Sequence, residues 1–137
     1  ITGRFLDAQD RLGPRLSDLR AKLEWQRDSE AHYFDTNQYL ATAFITALED
    51  NTAETERLVR AWLREATHDL TELAILRHYA CRALGLAAAT SAAVECIRSG
   101  LAEPSLVMPF VEPYLPYYDS MRDQAAFVDL LIEVQDQ

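Results

Sequence analysis

Residues 71–104, TELAILRHYACRALGLAAATSAAVECIRSGLAEP, constrain the fold more than any other stretch of the chain. Apolar and small side chains recur along it at three- and four-residue intervals, and Pro104 forbids continuation of a helix. The 34-residue segment therefore predicts two short helices packed back to back. Ala80 and Ala92 fall where the helices must touch, since only small side chains let two backbones approach closely. Leu76, Tyr79 and Cys96 are larger and are expected to face the core of the pair. Gly85 is expected at the turn, and Gly100 just past the second helix, where a left-handed residue is favoured.

The flanking regions read the same way. Phe5, Ala8 and Leu12 suit a short amphipathic helix that Gly13-Pro14 interrupts. Leu16, Leu19 and Leu23 then form an apolar stripe, either core packing or a dimerising helix, but too short for a coiled coil. A second stripe runs through Ala31, Phe34, Gln38, Ala41, Phe44, Ile45 and Leu48, with caps available at Asp28, Ser29 and Asp35. Glu49-Asp50-Asn51-Thr52 ends it in a polar turn. Asn51 with Glu54 makes a capping-box pattern for a helix bearing Leu58, Val59, Ala61, Trp62 and Ala66, and Asp69 with Glu72 repeats that pattern. The interval from Asn51 to Gly85 suggests a repeat of 34 residues.

The tail differs. Pro109, Pro113 and Pro116 oppose a continuous helix, so a short helical piece near 105–111 followed by an extended aromatic segment is expected. Asp123 is placed to cap a closing helix whose apolar face is Phe127, Leu130, Leu131 and Val134. Phe110, Tyr114, Tyr117 and Tyr118 are either interface anchors or a cover for the open end of the last helix pair, the cover being preferred.

Composition excludes some functions. With 49% hydrophobic and 26% charged residues the chain has the make-up of a globular domain, and its alanine and leucine favour helix over strand. A net charge of -9 repels nucleic acid and anionic membranes at long range. No run of 18 apolar residues is present to span a bilayer as a helix. The start at Ile1 suggests a segment of a longer protein. Cys81 and Cys96 lack zinc-site spacing; a disulfide between helices is one reading, two small buried apolar groups the preferred one.

The motifs of catalysis are missing. There is no nucleophile elbow, phosphate loop or His-Glu metal motif, and His32, His68 and His78 are scattered. Glu65 and His68 have the spacing of a bundle metal site but lack the second copy such sites need. The expectation is no enzyme, no cofactor and no metal.

The small and apolar positions of 71–104 resemble those of a tetratricopeptide repeat. The ending YYDSMRDQAAFVDLLIEV, with Asp119, Arg122, Asp123, Phe127, Leu130 and Leu131, is similar to the close of such arrays in some bacterial multidomain signalling and regulatory proteins. Leu76 stands where the repeat has tryptophan, Ala83 where it has tyrosine, and Arg57 where the preceding unit wants alanine. The resemblance implies an all-α fold of stacked antiparallel hairpins in a right-handed array of six or seven helices. Residues 1–27 would form a helical linker or dimerisation element and 28–137 the repeat domain. It further implies a non-catalytic scaffold that binds a protein or peptide in a concave groove into which Arg77, Cys81 and Leu84 point, with Tyr114 and Tyr117 as further contacts. Self-association as a homodimer and sensing of a small molecule are the alternatives. The compartment stays open, with the cytoplasm favoured over the periplasm.

Overall fold

The computed structural model describes Asp18, Ala21 and residues 37–66 and 70–136. The expected N-terminal helix, the leucine stripe of 16–23, the caps at 28–35 and the Asp69 cap lie outside the described residues. Those residues form helices α1 (Asn37–Leu48), α2 (Thr52–Ala66), α3 (Leu70–Leu86), α4 (Thr90–Ala102) and α5 (Ala125–Gln135). Two 3-10 turns, Glu112–Tyr114 and Pro116–Met121, fall between α4 and α5. No strand occurs among them, so the class is all-α.

Helix α3 is the hub. It packs against α1, α2, α4 and the second 3-10 turn, while α1 also packs on α2 and α5 on α4. On α2 the buried residues are Thr55, Leu58, Val59, Ala61 and Trp62, which include the expected Leu58, Val59, Ala61 and Trp62, while the burial of Ala66 lies outside what is described. The face of α1 is rotated from its expected position. Leu40, Ala43, Ile45, Thr46 and Ala47 are buried, whereas Ala41 is exposed and Phe44 half-buried. Two neighbours, α2 and α3, cover α1 at once, so burial spreads over more than the single stripe that periodicity picks out.

The turns joining α1 to α2 and α3 to α4 are the same turn. Each has three residues, and the middle one, Asp50 or Ala88, is left-handed with φ 59° and 56°. Their hydrogen bonds match: Asp50 N–H donates to Ala47 O and Asn51 N–H to Thr46 O, as Ala88 N–H does to Gly85 O and Ala89 N–H to Leu84 O. These 6→1 and neighbouring bonds close the helix C-termini in the Schellman manner. Equivalent positions, 50 and 88, are 38 residues apart, not the 34 expected from Asn51 and Gly85.

Both glycines thus have roles other than the turn roles expected of them. Gly85 and Gly100 lie inside α3 and α4, and neither has a positive φ. They permit close approach instead. A Cβ on Gly85 would stand 2.7 Å from the Tyr117 carbonyl oxygen and from the Tyr118 ring, and one on Gly100 would stand 2.5 Å from Val107. Asn51 caps α2 as expected, its Oδ1 accepting from Glu54 N–H at 3.3 Å, but the Glu54 carboxylate is drawn to Arg57 at 2.8 Å rather than back to the cap.

Cys81 and Cys96 are joined in a disulfide, with Cα atoms 5.4 Å apart. This overturns the preferred reading of two separate apolar groups. The residues stand seven and eight positions from Ala88 on opposite arms, and equal rise along two helices brings them level.

The tail also departs from expectation. Residues 103–111 are bends and turns rather than helix, and the helical pieces lie further on, as 3-10 turns with a proline at N1 or N2. There a missing N–H costs nothing, because the opening N–H groups of a helix have no partner anyway. Arg122 ties this segment together, donating to Pro113 O at 3.0 Å, Leu115 O at 2.9 Å and the Asp119 carboxylate at 2.8 Å. Gln124, not Asp123, stands at the N-terminus of α5, without a side-chain cap. Its buried face is Phe127, Leu130 and Val134, with Leu131 half-buried, as the spacing predicts.

Candidate functional site

The outward face of α3 carries Ile75 and Tyr79, 49% and 43% exposed. With Arg82, half-buried one turn on, they follow a four-then-three spacing that keeps them on one side of the helix. Phe44 on α1 meets the Tyr79 ring edge-on at 6.4 Å between centroids. The Arg82 guanidinium lies 5.7 Å from the Tyr79 ring centroid and 5.4 Å from that of Tyr117. A continuous ladder, Phe44–Tyr79–Arg82–Tyr117, therefore links three elements, α1, α3 and the second 3-10 turn. Tyr114 is 46% exposed beside its far end in sequence.

A buried carboxylate fixes the ladder. Glu112 is 1% exposed, and both its oxygens accept from Arg82, Nε at 2.9 Å and Nη2 at 3.0 Å. The Tyr118 hydroxyl donates to the same carboxylate at 2.7 Å. Burial, and then the Glu112 charge, push the Tyr118 phenol above its ordinary range. The Glu112 hydrogen bonds raise Arg82, which stays cationic at any ordinary pH. A fork-to-fork pair of this kind holds the guanidinium plane rigidly, and with it the two tyrosines stacked on it. His78, buried beside Arg82, is depressed first by desolvation and then by the Arg82 charge, and its Nδ1 has no hydrogen-bond partner.

The residues expected to form the groove divide. Cys81 and Leu84 are 0% and 3% exposed, so both belong to the core, with Cys81 consumed by the disulfide. Arg77 is 7% exposed and donates to Glu103 at 2.7 Å. Tyr114 and Tyr117 lie near the surface, and of the four tail aromatics only Tyr118 is covered completely. Tyr79, expected in the core of the pair, is on the exposed face. The groove placement of Arg77, Cys81 and Leu84 was what the resemblance implied; α3 packs on several sides at once, and these three side chains lie on covered faces of it.

Glu112 was missed, although it left a trace: it is the single charged residue within PSLVMPFVEPYLPYY. A lone carboxylate in an apolar run is either an exposed accident or a buried partner for a cation, and here it is the partner. Among the described residues no three His, Cys, Asp or Glu side chains gather in a way that could hold a metal ion. No described helix is long and apolar enough to cross a membrane. Set against known proteins, the chain matches no family model, no curated protein and no solved structure.

Proposed function

We propose that this chain is a non-catalytic interaction domain, a tetratricopeptide-like array of antiparallel helical hairpins that serves as a regulatory scaffold within a larger, bacterial signalling protein. A protein or peptide segment lies across the face that carries the aromatic ladder. The observation that supports the reading is the ladder itself: an exposed Tyr79 ring between half-buried Phe44 and Tyr117, with Arg82 held against it by the buried Glu112 carboxylate. Rigid aromatic side chains give a partner contact area at little entropic cost, and tyrosine and arginine dominate interface energetics. In this reading α1, α3 and the 3-10 turns are the first arms of three successive hairpins, with prolines shortening the third.

Selection of a displayed peptide library on the intact chain tests the proposal. Binders are expected to lose about 30-fold in affinity on Tyr79→Ala, the roughly 2 kcal/mol of a hot-spot aromatic. Selected peptides indifferent to both Tyr79→Ala and Tyr117→Ala would sink it. Self-association is the second reading, favoured by the exposed run Leu106, Met108, Phe110 and Val111 at 54%, 54%, 79% and 44%. A concentration-independent monomer mass by light scattering removes it.

A further inference from the structure

On the far side of α3 from the ladder, Arg77 has a side chain only 9% exposed and a single partner among the described residues, the Glu103 carboxylate. It lines a cavity of about 250 Å³ formed by α2, α3 and α4, whose apolar wall includes Val59, Leu63, Leu84 and Ala92. We propose that this cavity binds a small monocarboxylic acid with an apolar body, whose carboxylate takes the Arg77 guanidinium over from Glu103. A guanidinium has five N–H donors, of which Glu103 engages one, so a planar carboxylate gains a forked contact that Glu103 does not make. Glu103 is 58% exposed at its side chain and stands in extended backbone just past α4, so releasing it disturbs no helix and costs little.

The surroundings narrow the ligand. At about 250 Å³ the cavity is smaller than the roughly 300–1,000 Å³ of ordinary ligand pockets, which restricts the body to a short chain or one ring. Arg60 and Glu56 on its rim pair with each other at 3.2 Å, leaving the Glu95 charge to disfavour a dianion. The inference stands apart from the aromatic ladder and survives if that reading fails.

Titration of the intact chain with octanoate and with neutral octanamide, followed by calorimetry and amide NMR, tests it. Octanoate is expected to saturate and to shift amides of α2 and α4, while octanamide does not. Glu103→Gln removes the internal competitor and is expected to tighten octanoate severalfold. Ala92→Leu fills the cavity and is expected to abolish binding while the spectrum stays folded. No saturable binding, equal binding of octanamide, or indifference to either substitution would overturn the proposal. A peptide that binds tighter than octanoate and loses this on C-terminal amidation would also overturn it, assigning the cavity to a chain terminus.

Discussion

The first helix pair, α1 with α2, and the second, α3 with α4, close on identical turns yet are held together by different means. Positions related by the 38-residue interval make the contrast direct. Buried Thr46 and Thr55 place their hydroxyls 2.8 Å apart across the first pair, where the second has Leu84 and Ala93. Ala43 and Leu58 in the first correspond to the disulfide-linked Cys81 and Cys96 in the second. Trp62 fills its own surroundings completely, whereas its counterpart Gly100 is empty and receives Val107 from the tail. Likewise Gly85, the counterpart of Ala47, receives Tyr118. The first pair fills space with its own side chains. The second is built from small residues, a covalent link and cavities that the C-terminal segment must occupy. One backbone plan thus accepts two packing solutions, and the second makes the tail part of the core.

The largest test of that contrast is Trp62→Ala. A fully buried tryptophan lost from the first pair is expected to cost about 3–5 kcal/mol by denaturant unfolding. A much smaller cost would mean that the first pair does not depend on this side chain. Next is the disulfide, which closes a loop over a sequence separation of 15, for which chain entropy gives about 3 kcal/mol. Cys81→Ala with Cys96→Ala, or reduction of the unaltered chain, should lower the thermal midpoint accordingly. An unchanged midpoint would show that helix packing alone holds the second pair. Smaller again, Gly85→Ala and Gly100→Ala should each cost about 1–3 kcal/mol through overpacking, although alanine is ordinarily the better helix former. A gain in stability at either position would break the claim that the tail is packed into these sites.

The smallest expected effect is on pH. His78 corresponds to Leu40 of the first pair, and both are buried. Burial, then the Arg82 charge, lowers the histidine below its usual pKa of 6.5. The unfolded chain therefore binds the proton more readily, so this contribution is complete above about pH 6.5 and is lost as pH falls through the depressed folded value. His78→Leu, which copies the first pair, should flatten the stability profile between neutrality and mild acid. An unaltered acid slope would mean that other groups set it.

Helix class, the polar turn after α1, the Asn51 cap and the apolar faces of α2 and α5 were legible because each depends on residues within about two helical turns of one another. Glycine roles were not legible. Gly85 and Gly100 read locally as turn residues, yet the left-handed positions are held by Asp50 and Ala88, and the glycines answer to Tyr117, Tyr118 and Val107. The disulfide was one of two readings for Cys81 and Cys96, since spacing alone does not tell a crosslink from two packed thiols. The exposed face of α3 was misplaced, with Tyr79 read as core and Arg77 as surface, because a helix packed on several sides leaves open only the stripe its neighbours do not cover.

By itself the sequence determined an all-helical chain and several of its boundaries, since propensity, capping and proline chemistry act over a few residues. Tertiary structure decided the pairing of Glu112 with Arg82, the crosslink, and the role of the proline-rich tail. Those contacts join residues about 15 to 35 positions apart. Their energies come from burial and close approach, which exist only once the helices have packed.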